Sequence, residues 1–327
     1  MKHPLNIGII GVGRWGANYL RTFNEIDDSN VTWIFSKRQG TIKEALQKAN
    51  SDARNIKTTT DYRKILCDEN VDAVAIASSG STHYNITKEA LLAGKHVLVE
   101  KPLAFSAKDA KELCELSRKR KKILMVGHLH LYNPGIIKLK NDISQGLLGK
   151  IRFINCSHFG NGPVRGDMGA IWDFFPHTIS ILIYLLGSSP FSVSVNGQSY
   201  IKRGVEDVIT MDMEFPGKVF AASMASWLYP LKKMEICVVG EKLYAAYDDY
   251  APKNKLQYFE PLSKDGKSYS MQIPAEKPLT NQLMHFIDCV QNDKAPLTGC
   301  NEALEVTKIL EAAQKSLNNS KKFHTRV

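Results

Sequence analysis

The stretch Leu5-Asn-Ile-Gly-Ile-Ile10, followed at once by Gly11-Val-Gly13-Arg14-Trp15-Gly16, decides the fold. An apolar run of strand length leads into a G-x-G-x-x-G pattern, and apolar residues at helical spacing come next. The first glycine allows a tight turn, the second lets the backbone approach a pyrophosphate, and the third permits close packing of helix and strand. The N-terminus of that helix attracts the anion. We therefore predict a dinucleotide site; the alternative is a glycine-rich turn without a ligand.

Short apolar runs alternate with helical patterns as far as about residue 126. Runs of strand length lie at residues 5–10, 31–35, 73–77, 96–99 and 123–126, and helical spacing covers residues 15–26, 41–49, 82–93 and 106–120. Such alternation predicts βαβ units, because parallel strands need a long crossover connection that is usually a helix. Residues 1–126 are therefore predicted to form a dinucleotide-binding domain with a doubly wound parallel sheet.

The pattern changes after residue 126, and residues 127–327 are predicted to form a second α/β domain. Helices are expected at residues 134–145, 171–186, 279–291 and 301–316, with a strand at residues 150–159. Five strand-like runs follow one another at residues 191–200, 207–215, 219–227, 234–239 and 242–247. Because short turns join these runs, their sheet is predicted to be large, open and mostly antiparallel.

Length and composition limit the classes of protein that this chain can represent. Its 327 residues suffice for two domains, and 43% hydrophobic with 23% charged residues is a globular balance. The formal net charge of +10 favours anionic partners such as nucleotides. Six scattered cysteines without a Cys-x-x-Cys pair disfavour both a zinc site and a disulfide framework. With no export signal and no apolar run of membrane-spanning length, we expect a cytoplasmic protein without a membrane partner.

Two patterns suggest other partners, and both are set aside. The basic run Arg118-Lys-Arg-Lys-Lys122 ends a helical pattern, where cations complement the helix dipole, and no nucleic-acid motif accompanies it. His128 and His130 alternate as on a strand, but no cysteine or spaced acidic residue near them in sequence completes a metal site. We expect neither a nucleic acid nor a metal ion.

The identity of the dinucleotide depends on the end of the second predicted strand. An NAD site places Asp or Glu there to accept a hydrogen bond from the ribose 2′-hydroxyl. This chain has Ser36-Lys37-Arg38 instead, and a hydroxyl with two cations suits a 2′-phosphate. NADP is therefore favoured over NAD; the alternative is a solvated basic turn.

Candidate reacting groups lie in two places. Glu100-Lys101-Pro102 follows the strand at residues 96–99, and the carboxyl ends of strands in doubly wound sheets border the ligand crevice. Lys101 can therefore face a cofactor and a substrate, although taken alone it would more often be a surface lysine. Asp173 and His177 are four residues apart in a helical stretch and share one face. Since their neighbours are apolar, they are either a buried pair or catalytic groups.

These motifs together resemble the glucose–fructose oxidoreductase / inositol dehydrogenase / MocA (Gfo/Idh/MocA) family of NAD(P)-dependent oxidoreductases. The resemblance runs through residues 11–16, residues 75–81, Glu100-Lys101-Pro102 and Gly169-Ala-Ile-Trp-Asp173-Phe-Phe-Pro-His177. It implies an N-terminal Rossmann domain and a C-terminal α/β domain whose open sheet commonly mediates oligomerisation. The chain departs from the family pattern at Ser180, where many members have Asp.

The resemblance also implies roles for particular residues. Lys101, Asp173 and His177 are the predicted catalytic set: His177 takes the hydroxyl proton, Asp173 holds the imidazole and Lys101 stabilises the developing alkoxide. The predicted cofactor-binding residues are Gly11, Gly13, Arg14, Trp15, Gly16, Ser36, Lys37, Arg38, Ser78, Ser79, Glu100 and Lys101. The predicted substrate contacts are His128, Tyr132 and Arg165. An arginine in the loop before Asp173 favours an anionic substrate over a neutral inositol, unless it faces solvent.

The predicted function is hydride transfer between a nicotinamide cofactor and the hydroxyl or keto carbon of a sugar, nucleotide sugar or polyol. The alternatives are a non-enzymatic dinucleotide sensor and a reductase of non-sugar carbonyls. Residues 219–227 carry apolar side chains at both alternating positions, so one face of their sheet needs a cover. A homodimer or homotetramer is therefore predicted. Trp227 and Tyr229 are assigned to sheet packing or subunit contacts.

Overall fold

The computed structural model describes residues 3–49, 56–162, 168–262 and 268–320. The chain divides into two compact units, Met1–Leu129 with Lys277–Thr307, and His130–Glu276 with Lys308–Val327. The first unit is therefore built from two stretches of chain, and the second sheet lies between them in sequence.

The first unit contains a six-stranded sheet in the order β3-β2-β1-β4-β5-β6. Its strands are β1 (Leu5–Ile10), β2 (Ser29–Phe35), β3 (Lys57–Thr59), β4 (Ala73–Ile76), β5 (His96–Val99) and β6 (Leu124–Val126). Every pair of neighbours is parallel. The strand order reverses between β1 and β4, which is where doubly wound sheets bind ligands. The predicted doubly wound parallel sheet is confirmed, and β3 with the short helix after it was missed.

Helices connect these strands and bury apolar side chains against the sheet. They are α1 (Arg14–Asn24), α2 (Gln39–Lys48), α3 (Arg63–Cys67), α4 (Gly80–Leu92) and α5 (Ala107–Arg120). The predicted start of α5 is correct, because the Ser106 hydroxyl accepts a hydrogen bond from the Asp109 N–H over 3.1 Å. Strands β4, β5 and β6 are almost wholly buried, as a sheet covered by helices on both faces requires.

The chain returns to the first unit after the second sheet. Helix α8 (Pro278–Asn292) packs against α1. The Thr298 hydroxyl then donates to the Val126 carbonyl over 2.7 Å, and Gly299 pairs with Met125. The sequence pattern assigns residues 277–307 to the second domain because nothing local in them shows their contacts. In the structure they belong to the first unit, where α8 packs on α1 and residues 298–299 contact β6.

The second unit contains an eight-stranded sheet in the order β14-β13-β12-β11-β7-β10-β9-β8. Its strands are β7 (Ile151–Asn161), β8 (Ser192–Gln198), β9 (Val208–Phe215), β10 (Val219–Ser226), β11 (Leu228–Gly240), β12 (Tyr244–Asp248), β13 (Leu256–Phe259) and β14 (Ser268–Met271). All neighbours are antiparallel except β7 and β10, which are parallel. The predicted large, open, mostly antiparallel sheet is confirmed.

Helices α6 (Pro134–Ser144) and α7 (Ala170–Leu186) pack on one face of this sheet. Asn133 caps α6 by accepting a hydrogen bond from the Gly135 N–H over 2.9 Å. Helix α9 (Cys300–Ser320) begins in the first unit and ends in the second. Within the described ranges, every helix is too short or too polar to cross a membrane.

The other face of the sheet carries a row of apolar side chains across five strands. The row comprises Phe220 on β10, Phe153 on β7, Val239 on β11, Tyr244 on β12 and Phe259 on β13, each opposite the next in register. The rings of Phe153 and Phe220 stack with centroids 6.1 Å apart. All five are at least partly exposed, and Phe220 is 41% exposed. We call this row the outer apolar row.

Candidate functional site

The turn between β1 and α1 is shaped by two glycines. Gly11 has φ +98°, and a Cβ there would lie 2.7 Å from the Ser78 backbone nitrogen. A Cβ on Gly16 would lie 1.9 Å from the Gly11 carbonyl oxygen, so the helix can approach the turn only without a side chain at this position. The Cβ position of Gly13, by contrast, points into open space. A backbone of this shape leaves room for a pyrophosphate beside the N-terminus of α1.

A cavity of about 490 Å³ opens beside this turn. It brings together seven of the predicted cofactor-binding residues, namely Gly11, Gly13, Ser36, Lys37, Arg38, Ser78 and Ser79. Phe35, Thr41, Tyr62, Ala77, Thr82, Asn85 and Ile86 complete its described lining. Among these described lining residues none is acidic, whereas two are cationic. The size and lining of the cavity fit the adenosine part of a dinucleotide, with cations where β2 ends.

The Glu100 carboxyl, at the end of β5, is buried with its side chain packed against α1. Its Oε1 accepts hydrogen bonds from the Trp15 indole N–H and, over 2.5 Å, from the Tyr19 hydroxyl. Its Oε2 accepts from the Lys101 backbone N–H over 3.3 Å. Burial raises the pKa of Glu100 to about 7, although the Tyr19 hydrogen bond and the charges of Lys101 and His128 favour the ionised form. The carboxyl group therefore ties the glycine-rich turn to the position of Lys101.

A second buried pair lies at the end of the neighbouring strand β6. The His128 Nδ1 lies 2.8 Å from Glu302 Oε2, and His128 is only 2% exposed. Glu302 stands in the first turn of α9. Its other oxygen, Oε1, is buried without a hydrogen-bond partner among the described residues. The Glu302 carboxylate therefore depends on His128 for its pairing.

His83 connects the cofactor cavity to the Glu100-Lys101-Pro102 segment. The ring is 1% exposed, with Nδ1 2.8 Å from the Pro102 carbonyl oxygen and Nε2 3.1 Å from the Ser78 carbonyl oxygen. Since the imidazole spans the ends of β4 and β5, it fixes the backbone on which Ser78 and Lys101 stand.

In the second unit, Asp173 and His177 lie on the partly exposed stripe of an otherwise buried helix. The residues around them in α7 are mostly buried, whereas Asp173, Phe174 and His177 are partly exposed. The Trp227 indole N–H, at the end of β10, donates to Asp173 Oδ2 over 3.1 Å. The sequence prediction that Asp173 and His177 share one helix face is therefore supported by their common exposure.

Three imidazoles meet at this stripe. The His130 ring lies 4.7 Å from the His177 ring at an interplanar angle of 89°, and the His158 ring lies 6.1 Å from His130 and 6.0 Å from His177. The Phe174 ring lies 4.7 Å from His158. Nowhere in the described residues do three or more His, Cys, Asp or Glu side chains form a group that could hold a metal ion. The cluster offers imidazoles that accept and donate protons, and Asp173 lies one helical turn before His177 on α7.

The structure also gives the positions of two predicted substrate contacts, His128 and Tyr132, and of two further residues that the sequence analysis singled out, His130 and Ser180. Tyr132 and His128 are buried, at 5% and 2% exposure, and His130 lies in the 3₁₀ helix Leu129–Tyr132 and not on a strand. Ser180 is fully buried and donates to the His177 carbonyl over 2.9 Å, so it supports the helix backbone. Arg165 lies outside the described residues.

Sequence reasoning missed several residues that shape these clusters. They are Tyr19, His83, His158, Trp227 and Glu302. Tyr19 was the one with a local signal, because it follows Trp15 by four residues and so faces the same way on α1. Trp227 was assigned to sheet packing, although its indole reaches Asp173. Glu302 is 174 residues from His128, and no local pattern connects the two.

Comparison with protein families agrees with both units. The model described as an oxidoreductase family with an NAD-binding Rossmann fold (GFO_IDH_MocA) matches residues 5–128, and the GFO/IDH/MocA C-terminal domain model matches residues 136–245. Together they cover more than half of the chain. The chain belongs to the Gfo/Idh/MocA oxidoreductase family. The family prediction made from the sequence motifs is confirmed. The Rossmann unit is the NAD(P)-binding domain of this oxidoreductase.

Individual relatives are distant. The uncharacterized oxidoreductase YrbE of Bacillus subtilis (strain 168) is 26% identical over 332 residues, which cover 97% of this chain and 95% of YrbE. Inositol 2-dehydrogenase of Salmonella typhimurium (strain LT2) is 29% identical over 195 residues, but the match covers only 58% of this chain and 57% of that enzyme. The crystal structure of UDP-N-acetylglucosamine 3-dehydrogenase GnnA from Acidithiobacillus ferrooxidans has a TM-score of 0.84 at 20% identity, with 97% and 98% coverage. This last likeness shows that the fold is shared.

The raised pKa of Glu100 predicts a pH dependence of stability. The folded protein holds the proton more tightly than the unfolded chain, whose glutamate has a pKa near 4.5. The stabilising contribution is therefore complete below pH 4.5 and is lost as the pH rises towards about 7. Glu100→Gln cannot ionise, so across this pH window its free energy of unfolding should rise relative to that of the wild type by up to about 3 kcal/mol. Urea unfolding at a series of pH values measures the difference; parallel curves for the two proteins would contradict the assignment.

Proposed function

We propose that this oxidoreductase is a dehydrogenase that prefers NADP and acts on a hydroxyl-bearing carbon of a sugar, nucleotide sugar or polyol. The observation that carries the proposal is the partly exposed pair Asp173 and His177 on a buried helix, with the Asp173 carboxylate fixed by the Trp227 hydrogen bond. A carboxylate beside an imidazole is suited to moving a proton, and dehydrogenation of an alcohol requires that a hydroxyl proton be removed.

The proposed roles follow from the chemistry of each group. When bound, the nicotinamide supplies or accepts the hydride. His177 takes the hydroxyl proton as the carbon is oxidised, and Asp173, fixed by Trp227, holds the imidazole and favours its protonated form. Lys101 stabilises the developing alkoxide with its ammonium group. A protein that only senses a dinucleotide does not need such a set, which favours the enzyme over the sensor.

The preference for NADP rests on the cavity at the end of β2. Lys37, Arg38 and the Ser36 hydroxyl line it, and the described lining contains no carboxylate that would accept a hydrogen bond from a ribose 2′-hydroxyl. A 2′-phosphate would find charge-assisted donors there. An acidic residue at this position would instead favour NAD.

The proposed substrate class rests on two relatives, and a panel of substrates tests it. Inositol 2-dehydrogenase and UDP-N-acetylglucosamine 3-dehydrogenase are named for a polyol and a nucleotide sugar. The test measures absorbance of the reduced nicotinamide with UDP-sugars, free sugars, sugar acids and inositols, each with NADP and with NAD. Turnover of a member of this panel is the expected result. Activity with non-sugar carbonyls alone would favour the competing reductase, and no activity with any substrate would favour the sensor.

The proton-transfer role of His177 predicts a defined kinetic loss. His177→Asn keeps a polar side chain but cannot exchange a proton near neutral pH, so turnover should fall about 10²–10⁴-fold. Cofactor affinity, measured by fluorescence titration, should remain within about twofold because His177 belongs to the second unit. Wild-type turnover of the variant across the pH range would remove His177 from the mechanism.

The basic residues at the end of β2 predict the cofactor preference. Arg38→Ala should weaken NADP binding at least about tenfold and leave NAD binding nearly unchanged, because a charged hydrogen bond to the 2′-phosphate is lost. Lys48→Ala, at the last residue of α2 and outside the described cavity lining, is the control for the loss of one positive charge. Equal affinity of the wild type for both cofactors, unchanged by Arg38→Ala, would rule out the NADP preference.

We also propose that the outer apolar row is covered by a second copy of the chain in a homodimer or homotetramer. Side chains such as Phe153 and Phe220 line up across five strands, and a contiguous exposed apolar patch marks an interaction surface, which a second copy of the chain can cover symmetrically.

Sedimentation velocity tests this assembly. The wild type should sediment as a dimer or tetramer at micromolar concentration, and Phe220→Asp should shift it towards monomer by placing a charge in the apolar row. Ile201→Asp, at a 63% exposed apolar residue outside the row, is the matched control and should leave assembly unchanged. A monomeric wild type would disprove the proposal.

A further inference from the structure

Two cysteine thiols meet where α5 passes the first turn of α9. Cys114 is buried on α5, and Cys300 is the partly exposed first residue of α9. The Cys114 thiol donates a hydrogen bond to the Cys300 backbone carbonyl oxygen over 3.5 Å. Nothing in the hydride-transfer mechanism uses either thiol.

Cys300 can be reached from outside through a cavity of about 410 Å³. Arg118 and Lys122 line this cavity together with Cys300, and the Ser117 hydroxyl lies 4.0 Å from the Cys300 Sγ. The N-terminus of the 21-residue helix α9 is also at this point. Cations, a hydroxyl and a helix N-terminus all stabilise a negative charge on sulfur.

The surroundings of the two thiols differ. Contact with Cys114, the Ser117 hydroxyl and the charge of Arg118 lower the pKa of the Cys300 thiol. Contact with Cys300, together with burial, raises the pKa of the Cys114 thiol. Cys300 is the partly exposed thiol of the two and lines a cavity with Arg118 and Lys122, so it is the better nucleophile of the pair.

We propose that Cys300 and Cys114 form an oxidation site in which hydroperoxides convert the two thiols into a disulfide. The Cys300 thiolate attacks one oxygen of the peroxide, so that an S–O bond forms, the O–O bond breaks and Cys300 becomes a sulfenic acid. With hydrogen peroxide the other oxygen leaves as hydroxide, which takes up the proton that the Cys300 thiol released and becomes water. The Cys114 sulfur then attacks the Cys300 sulfur, an S–S bond forms, and the sulfenic oxygen leaves as a second water with the Cys114 proton. Two thiols are oxidised by two electrons and one peroxide is reduced.

Oxidation at this site is expected to shift residues near Lys101, because they contact the first turn of α9. Glu302, two positions after Cys300, pairs with His128. Thr298, two positions before Cys300, donates a hydrogen bond to the Val126 carbonyl. A disulfide replaces the flexible thiol contact by a bond of fixed geometry, so the first turn of α9 must adjust. The Glu302–His128 pair moves with that turn. This consequence for activity rests on the proposed function; the oxidation itself does not.

The experiment treats the reduced full-length protein with hydrogen peroxide and follows its intact mass and its cysteine peptides. The wild type should lose two hydrogen atoms, form one Cys114–Cys300 disulfide, and regain its original mass with dithiothreitol. Cys114→Ser should stop at the sulfenic acid, which a dimedone adduct on Cys300 would show. Cys300→Ser should form no disulfide and no adduct.

Two controls test whether the chemistry belongs to this pair. Cys67→Ser removes an exposed single thiol and should react as the wild type does. Cys156→Ser removes a thiol on β7 near Cys237 on β11; burial raises the pKa of both, to about 12 for Cys156, so this variant should also still form the Cys114–Cys300 disulfide. Iodoacetamide should alkylate Cys300 at least about tenfold faster than Cys114 at pH 7.

The results separate this inference from the proposed function. A disulfide at another pair, no disulfide at all, or equal alkylation of Cys300 and Cys114 would overturn the proposed site whatever the enzyme acts on. If the disulfide forms and a substrate has been found, oxidised wild type should lose most of its activity reversibly, and Cys300→Ser should keep its activity under peroxide. Full activity of the oxidised wild type would overturn the link through Glu302.

Discussion

The burial of the Glu100 carboxyl is the constraint on which the arrangement of the first unit depends. A carboxyl group removed from water must have hydrogen-bond partners, or it costs several kcal/mol. Trp15 and Tyr19, one turn apart on α1, supply two donors to the same oxygen, so α1 is fixed against the end of β5. The position of the glycine-rich turn relative to Lys101 follows from this contact. Gly127 is constrained as well, because a Cβ there would lie 3.1 Å from the carboxyl carbon of Glu100.

In the second unit, two polar groups project from a helix that is otherwise mostly apolar and buried. Because most of α7 is buried against its sheet, the helix can neither rotate nor shift without exposing apolar surface. Asp173 and His177 therefore stand on a rigid support, and the Trp227 indole removes the remaining freedom of the carboxylate. Groups held in this way lose little conformational entropy on binding a ligand, which suits the proton-transfer role proposed for them.

The sequence predicts features that depend on local pattern and fails where a contact joins distant residues. The glycine-rich turn, the strand–helix alternation and the i, i+4 spacing of Asp173 and His177 are local, and each has the expected structure. Strand β3 was missed because Lys57–Thr59 is short and polar at an edge, without the apolar run that marks a strand. His130 was expected on a strand since it alternates with His128, but the chain turns into a 3₁₀ helix there. Trp227 and Glu302 reach their partners only through the tertiary fold, so periodicity carries no information about them.

The return of the chain to the first unit shows how far such non-local contacts extend. Thr298, Cys300 and Glu302 alternate along one short segment, and each meets a different part of the parallel unit: the end of β6, helix α5 and His128. These contacts form only after the whole antiparallel sheet has been synthesised, since that sheet lies between the two stretches of the first unit in sequence. Closing so long a loop has an entropic cost, although that cost grows only slowly with loop length. The buried polar bonds at Val126 and His128 offset it, because each would otherwise leave an unpaired polar group in the interior. The same segment that completes the parallel unit therefore also carries Cys300, and this places the proposed oxidation site two residues from the Glu302 carboxylate that pairs with His128.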